Sequence, residues 1–310
     1  MLTDGVADLR TRRAPTAATR FRIGSVTKPY VATVVLQLVQ EGRLSLEDSV
    51  ERWLPGAVPG GDQVSVRQLL GHRSGLYDFF DDPRHMAPYL NGDFAFAWTP
   101  HELLGLATSH DPVFAPGERF GYSNTNTVVA GLIVEAVTGN DLGAELRTRL
   151  FAPLHLRRTT FATGQGMARP FAHGYLVTDA GLQDVTRVRP THTWASGNIV
   201  STAPEVARFF HALNSGRLLS APLLAQMRTT VPEGHGSGVG LGMMSQRYGC
   251  RGTFIGHDGA MAGYKSEARE RLDGSRQFVL LTNSLTLDDE AGGPAAVRAY
   301  DRVMHHLACG

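Results

Sequence analysis

Ser25 and Lys28 are the two residues whose types and spacing most clearly suggest chemistry in this chain. A serine hydroxyl attacks a carbonyl carbon efficiently when a base takes its proton, and a desolvated lysine amine can be that base. Of the 30 basic residues only Lys28 and Lys265 are lysines, and arginine cannot give up its proton in a protein. Lysine at position 28 therefore indicates a titratable amine, although a surface lysine beside a capping serine would show the same S-x-x-K spacing.

The segment that follows this pair predicts a helix over about residues 26–41 with one buried face. Its apolar residues recur at spacings of three and four, at Val31, Val34, Val35, Leu38 and Val39. Pro29 is tolerated only near the start of such a helix. We therefore expect Ser25 at or just before the helix N-terminus, with Lys28 one turn further on the same side. The free N–H groups of a helix N-terminus can stabilise an oxyanion.

Two further short motifs stand at the ends of predicted elements. Tyr122-x-Asn124 comes just before a predicted helix at 125–138, and His257-x-Gly259 ends a predicted strand. Each has an ordinary structural interpretation: a tyrosine with a satisfied hydroxyl, an asparagine that caps a helix, and a strand-end histidine. Each motif alone is a weak signal. All three, each in a sensible structural setting, make a strong joint signal for a functional site.

The order of predicted elements indicates the α+β fold class. Short strands are predicted at both ends of the chain and helices in its middle; the strands lie at 3–10, 20–23, 238–244, 253–259, 263–271 and 276–284, before a final helix at 290–308. This order predicts an antiparallel β-sheet built from both chain ends and flanked by helices, with an inserted mainly helical lobe. We expect a single domain over 1–310, with sub-lobes 1–75 plus 195–310 and 76–194. Functional sites often lie in the cleft between two such lobes, so we expect the site there.

Composition excludes several classes of function. The chain has 310 residues, is 42% hydrophobic and 19% charged, and carries a formal net charge of +1. This balance is typical of a globular protein and argues against a nucleic-acid partner, which would show as a basic excess. No apolar run reaches the length of a membrane span. No cluster has the spacing of metal ligands, so we expect neither a metal nor another cofactor.

The two cysteines, Cys250 and Cys309, leave two alternatives open. They are either a pair of inert thiols or one disulfide that ties the C-terminus to an inner segment. A disulfide would favour an exported protein. No signal peptide is visible at the N-terminus, so an exported protein would require the start of the chain to be incomplete.

The chain resembles the serine β-lactamase and penicillin-binding protein superfamily. It is most similar to the secreted D-alanyl-D-alanine carboxypeptidase branch, which is related to class C β-lactamases and to β-lactamase-like esterases and D-aminopeptidases. The resemblance runs from about Gly5 to Cys309 and is carried by three stretches: FRIGSVTK at 21–28, GHRSGLYD at 71–78 and YSNTN at 122–126. It implies an exported protein in which Cys250 and Cys309 form a disulfide.

The resemblance also implies roles for the residues that could transfer an acyl group. Ser25 attacks the carbonyl and forms an acyl-enzyme, and Lys28 accepts or polarises the proton of Ser25. Tyr122, as a phenolate or through its hydroxyl, relays a proton to the leaving group and activates the deacylating water. The backbone N–H groups of Ser25 and Ala260 form the oxyanion hole.

A second set of residues is implied to bind the substrate. Asn124 donates to the amide carbonyl of the substrate, and His257 stands where many relatives have lysine, beside Gly259. Trp194 is also assigned to substrate binding, although from the residues alone a packed core tryptophan is an equal alternative.

The chain departs from the carboxypeptidase pattern where a free substrate carboxylate must be held. In that branch threonines occupy the positions of Asp258 and Ala260, and an arginine occupies the position of Met244. Asp258 would repel a carboxylate if it pointed into the cleft, although strand alternation could turn it away. Arg247 could replace the arginine if the register were shifted. These differences favour a neutral ester, an amide or a D-amino-acid substrate.

Three hypotheses for the function remain. The resemblance implies a serine hydrolase similar to D-alanyl-D-alanine carboxypeptidases, whose substrate is a small molecule or a peptide such as a peptidoglycan stem peptide, and β-lactams as inhibitors. The departures favour a β-lactamase-like esterase or a D-aminopeptidase with the same chemistry. A hypothesis of another class is a catalytically silent penicillin- or peptidoglycan-binding module, and the intact motifs argue against it.

Overall fold

The computed structural model describes residues 1–234, 236–250, 252–286 and 293–310. Within them we number ten α-helices and twelve β-strands in chain order. The helices are α1 (Lys28–Gln40), α2 (Val50–Trp53), α3 (Val66–Leu70), α4 (Pro83–Leu90), α5 (Pro100–Thr108), α6 (Asn124–Thr138), α7 (Leu142–Leu146), α8 (Ala203–Asn214), α9 (Ala221–Arg228) and α10 (Gly293–Cys309). The strands are β1 (Phe21–Arg22), β2 (Thr160–Phe161), β3 (Tyr175–Thr178), β4 (Gly181–Asp184), β5 (Ile199–Ser201), β6 (Val231–Gly234), β7 (Ser237–Val239), β8 (Met244–Gln246), β9 (Phe254–Met261), β10 (Tyr264–Arg271), β11 (Gln277–Thr282) and β12 (Ser284–Thr286).

The largest sheet has six strands and is antiparallel throughout, in the order β11-β10-β9-β8-β7-β6. Helix α8 packs against β10 and β11, and α10 packs against β11. The central strands β9 and β10 pair over their whole length, which places Asp258 opposite Glu267 and Gly256 opposite Arg269. The α+β class, with an antiparallel sheet flanked by helices, is confirmed.

The N-terminal strands do not join this sheet, which corrects the predicted topology. β1 pairs with β5 in a separate three-stranded sheet that also contains β2. The segment predicted as a strand at 3–10 forms only an isolated bridge between Asp8 and Arg13. The Asp8 carboxylate accepts hydrogen bonds from the N–H groups of Arg10 and Thr11, so it favours a local turn over an extended strand.

Helix α1 is the central helix of the core. Every residue from Lys28 to Leu36 is buried, and α1 packs against α6 and β9. The ring of Tyr30 stacks on Phe209 of α8, with 3.5 Å between the ring centroids. The sequence predicted one buried apolar face for α1. In the structure, other parts of the chain cover nearly all sides of the helix, which is typical of a helix inside a large core.

The segment predicted as one strand at 238–244 is a tight hairpin of β7 and β8. Gly242 lies in its turn with φ +68°, and a Cβ atom there would be 2.4 Å from the Cβ of Ala32 in α1. The turn therefore packs directly on α1 and places Met244 opposite Gly256 of β9.

A disulfide joins Cys250, after β8, to Cys309 at the end of α10. Residues 290–292 of the predicted last helix lie outside the described residues. Across the parts of the chain that the structure describes, no helix is both long enough and apolar enough to cross a membrane. The division into sub-lobes 1–75 plus 195–310 and 76–194 remains a prediction.

Candidate active site

Ser25 lies in a single 3-10 turn, Gly24–Thr27, that leads directly into α1. Gly24 has φ +49°, and a Cβ atom there would lie 2.5 Å from the carbonyl oxygen of Ala260. Only glycine fits this combination of backbone conformation and close approach. The turn therefore brings Ser25 against strand β9, at the helix start where the sequence predicted it.

The amine of Lys28 is buried and faces three oxygen atoms. Nζ lies 2.9 Å from Ser25 Oγ, 2.7 Å from Asn124 Oδ1 and 3.1 Å from the carbonyl oxygen of Ser196. Two of these oxygens can only accept, so a neutral amine donates to them and keeps its lone pair for the hydroxyl of Ser25. Burial lowers the pKa of Lys28 to about 7, against the opposing effect of the carboxylates of Asp78 and Asp258. Close to neutral pH this amine can act as a base.

Tyr122 completes a hydrogen-bonded chain around the nucleophile. Its hydroxyl donates to Ser25 Oγ over 3.1 Å. Burial raises the pKa of Tyr122 well above its usual range, so the phenol keeps its proton. When the amine of Lys28 is neutral, the hydroxyl of Ser25 can donate to its lone pair, and the protons then point from Tyr122 to Ser25 to Lys28. The phenolate alternative is not favoured by this environment.

Asn124, the first residue of α6, is held by Asp78, a carboxylate to which sequence reasoning assigned no role. Asp78 Oδ2 accepts from the backbone N–H and from Nδ2 of Asn124, at 3.1 and 2.9 Å, and Oδ1 accepts from the N–H of Phe80. Burial raises the pKa of Asp78, while these donors favour the carboxylate. The side-chain oxygen of Asn124 consequently points at Lys28. The GHRSGLYD stretch of the sequence contained Asp78, but its partner is 46 residues away.

His72 is a second residue that sequence reasoning left without a role. Its ring stacks on Tyr122, with 4.5 Å between centroids and an interplanar angle of 18°. His72 Nδ1 accepts from the N–H of Ser123 over 3.2 Å, and burial lowers the pKa of His72 well below its usual value. A neutral ring thus fixes the plane of the tyrosine.

Strand β9 forms the opposite wall of the site. His257 and Gly259 are buried, whereas Asp258 and Ala260 are exposed. A Cβ atom on Gly259 would lie 2.3 Å from the carbonyl oxygen of Ile23 and 2.9 Å from the nitrogen of Ser25, so β9 touches the nucleophile turn. Burial lowers the pKa of His257 to about 4, so its ring is neutral at neutral pH.

These residues enclose a cavity of about 480 Å³. It is lined by Ser25, Phe80, Phe120, Tyr122, Asn124, Thr193, Ser196, Gly197, Met244, His257, Asp258, Gly259 and Ala260. All of the residues assigned from the sequence to catalysis or substrate binding line it or lie directly beneath it, except one.

That exception is Trp194, whose assignment to substrate binding is corrected. Its side chain is buried in the main core, near Phe161 and against α6. A Cβ atom on Gly131 of α6 would lie 2.8 Å from the indole, so the missing side chain makes room for the tryptophan. Neighbouring Thr193 and Ser196 line the cavity instead. Among the described residues, no three His, Cys, Asp or Glu side chains are grouped so as to hold a metal ion.

The site can be compared with known proteins. A family model described as Beta-lactamase matches residues 2–301, nearly the whole chain. The chain belongs to the beta-lactamase family. As a member of this family of penicillin-binding proteins and related amidases, it is a serine hydrolase. Penicillin-binding protein 4 of Amycolatopsis lactamdurans is 31% identical over 308 residues, which cover 91% of this chain and 77% of that protein.

Solved structures of the family extend the comparison to amidases. A D-stereospecific amidohydrolase from Streptomyces sp. superposes with a TM-score of 0.82 at 38% identity, covering 86% of this chain and 82% of the other. The D-amino acid amidase from Ochrobactrum anthropi SV3 superposes with a TM-score of 0.84 at 30% identity, covering 96% and 87%. The beta-lactamase-family fold is thus shared with enzymes named for D-amino acid amides as well as with penicillin-binding proteins.

Proposed function

We propose that this chain hydrolyses amides or esters of D-amino acids through an acyl-enzyme on Ser25. The observation that carries the proposal is the hydrogen-bonded chain from Tyr122 through Ser25 to a buried, readily neutral Lys28. A hydroxyl held between a phenol and an amine is prepared for deprotonation. The two amidase structures similar to this chain support the D-amino-acid substrate class.

In the first step Lys28 takes the proton of Ser25 while Oγ bonds to the carbonyl carbon. The resulting oxyanion accepts hydrogen bonds from the N–H groups of Ser25 and Ala260, which the contact between β9 and the nucleophile turn brings close together. Asn124 is fixed between Lys28 and Asp78 and presents its carboxamide beside the nucleophile.

In the second step the carbon–nitrogen or carbon–oxygen bond of the substrate breaks and the leaving group takes a proton. Tyr122 donates that proton because its hydroxyl lies 3.1 Å from Ser25 Oγ and remains protonated at neutral pH. The proton on Lys28 then returns to the phenolate of Tyr122, since Lys28 Nζ and the Tyr122 hydroxyl both approach Ser25 Oγ, at 2.9 and 3.1 Å. Water then attacks the acyl carbon while the neutral amine of Lys28 takes one of its protons. The bond to Ser25 Oγ breaks as Tyr122 donates a proton to that oxygen, and the proton on Lys28 returns to Tyr122.

The wall of the cavity supports this substrate class over peptides with a free C-terminal carboxylate. Among the described residues that line the cavity there is neither lysine nor arginine, and Asp258 and Met244 lie on its β-sheet wall. A carboxylate substrate would therefore meet a negative charge and an apolar side chain instead of a cation. A D-alanyl-D-alanine carboxypeptidase activity is the less favoured alternative.

We further propose that the chain works in an oxidising compartment outside the cytoplasm and that β-lactams acylate Ser25. The disulfide between Cys250 and Cys309 supports the first statement, because such bonds persist chiefly in oxidising compartments. The kinship with penicillin-binding proteins supports the second.

The test is a comparison of hydrolysis rates on D-phenylalanine amide, L-phenylalanine amide and a peptide ending in D-Ala-D-Ala. We expect kcat/KM for the D-amide to exceed that for either other substrate by at least about tenfold, which is about 1.4 kcal/mol in transition-state binding. Ser25→Ala is the matched control and removes all three activities. Release of D-alanine faster than release of ammonia would overturn the substrate assignment.

A further inference from the structure

Asp258 presents a carboxylate in the cavity that catalysis does not use. It lies on β9 between the buried residues His257 and Gly259, and its own side chain is 53% exposed. The same cavity contains Ser25, so a molecule bound at the nucleophile lies within reach of this carboxylate. Partial burial opposes ionisation, but Arg269 and His257 hold the pKa of Asp258 below its usual value.

The cation nearest to Asp258 is already balanced by another carboxylate. Arg269 is buried, and its Nε donates to Glu267 Oε1 over 2.5 Å, whereas its Nη2 forms a longer ion pair with Asp258 Oδ1 at 3.4 Å. Glu267 is buried too and also accepts from the hydroxyls of Tyr248 and Tyr300. Arg269 and Glu267 therefore form a fixed neutral pair.

The carboxylate of Asp258 consequently gives this wall of the cavity a net negative charge. His257 is neutral because burial lowers its pKa to about 4. Deeper in the site, the carboxylate of Asp78 offsets the charge of Lys28 whenever that amine is protonated. The ionisable groups described on the wall sum to one negative charge at neutral pH, and that charge is open to the cavity.

We propose that Asp258 binds a substrate ammonium group and that the enzyme selects cationic over anionic substrates. The inference rests on the proposed function, because it assigns the substrate of the same site. An ammonium placed against a half-exposed carboxylate gains a modest, salt-sensitive attraction, whereas a carboxylate there is repelled. The ammonium can come from the α-amino group of a D-aminoacyl moiety or from a basic leaving group.

Charge-matched substrates separate these two sources. For the leaving group, the set consists of three phenylacetyl thioesters. The thiocholine ester is cationic, the ester of its tert-butyl carbon isostere is neutral, and the thioglycolate ester is anionic. For the acyl group, the pair is the p-nitroanilide of D-phenylalanine and that of hydrocinnamic acid, which lacks the amine. Ratios of kcat/KM within a set cancel any change in the pKa of Lys28, because every member uses the same base.

In at least one set we expect the cation to be preferred over its neutral analogue by about fivefold. Asp258→Asn should reduce that preference to within about twofold, and Asp258→Lys should reverse it in favour of thioglycolate. The control Asp273→Asn removes an exposed carboxylate from the β10–β11 turn and should leave the ratios unchanged. The proposal would be overturned if the kcat/KM ratios of the cationic to the neutral substrates were unchanged in Asp258→Asn, or if the wild type preferred the thioglycolate ester.

A binding measurement keeps this inference separate from the proposed function. If none of the substrates is hydrolysed, the proposed function fails, but phenyltrimethylammonium still reports on Asp258. Saturation-transfer NMR should show it bound to the wild type and to Ser25→Ala, with binding weakened about fivefold in Asp258→Asn. Equal binding to the wild type and to Asp258→Asn would overturn the ammonium site whatever the activity.

Discussion

Lys28 owes its chemistry to the oxygen atoms and the burial around it. The side chain is only 1% exposed, and burial disfavours the ammonium form. Asp78 and Asp258 oppose this effect, and the balance leaves the amine near the point where it can take a proton at neutral pH. Neither carboxylate is near Lys28 in the sequence. The lysine could therefore be singled out from the composition, but its pKa could not be predicted.

The rate of acylation should therefore depend on pH through Lys28. Because the folded pKa is about 7, the amine is protonated below that pH and cannot accept the proton of Ser25. We expect kcat/KM to fall about tenfold for each unit below about pH 7 and to level off above it. Lys28→Arg should lose at least about a hundredfold, because a guanidinium keeps its proton. Lys265→Arg is the matched control and should keep its activity; a flat pH profile would contradict the assignment.

Asp78 should set the position of that acidic limb. Its carboxylate stabilises the ammonium form of Lys28, so removing the charge lowers the pKa of Lys28 further. We expect Asp78→Asn to shift the limb of the kcat/KM profile to lower pH, together with some loss of activity as Asn124 loses an acceptor. The measurement is the same pH profile. A shift to higher pH would show that the carboxylate acts in another way.

At the scale of elements, the site is built by the contact between the nucleophile turn and β9. Gly24 and Gly259 have no side chains to separate the two segments. The hydroxyl of Ser266 on β10 donates to the carbonyl oxygen of Ile23 over 2.8 Å and ties the turn to the sheet. The oxyanion donors proposed above depend on this spacing.

Gly259→Ala should damage the site by separating these segments. The added Cβ would lie 2.3 Å from the carbonyl oxygen of Ile23, so β9 or the turn must move. We expect a loss of about a hundredfold in kcat and about 1–3 kcal/mol in the free energy of unfolding. Gly105→Ala in α5 is the control, because nothing lies within 4 Å of the added atom. Initial rates measure kcat, and urea titration measures the free energy of unfolding. Wild-type activity in Gly259→Ala would contradict this role of the contact between β9 and the turn.

The elements themselves were predictable to different degrees. α1 and α6 carry apolar periodicity and clear end signals, and both occur where the sequence predicted them. The strand predicted at 3–10 is absent because Asp8 binds local N–H groups. The 238–244 segment turns back at Gly242 because of its contact with α1, which no local pattern reveals.

At the scale of the whole molecule, the site joins residues that are far apart in the chain. Tyr122 lies 97 positions from Ser25, and His257 is further still, yet all three line one cavity. The three motifs together resemble a known family, and that resemblance predicted that these residues would lie in one site. Trp194 was wrongly assigned because the sequence could not show that Gly131 makes room for it in the core.

The disulfide should be a major source of global stability. It closes a loop with a sequence separation of 59 and ties the end of α10 to the segment after β8. In the chain-entropy model a loop of this length contributes about 4 kcal/mol. We expect the double variant Cys250→Ser, Cys309→Ser to lose about that much free energy of unfolding in urea titrations. Unchanged stability would mean that the bridge constrains the unfolded chain very little.

Intact-mass analysis shows directly whether Ser25 is the nucleophile. The wild type and Ser25→Ala are each treated with a fluorophosphonate and, separately, with benzylpenicillin. We expect a single covalent adduct on the wild type, mapped by peptide digestion to Ser25, and no adduct on Ser25→Ala. Equal labelling of both proteins, or of neither, would contradict it.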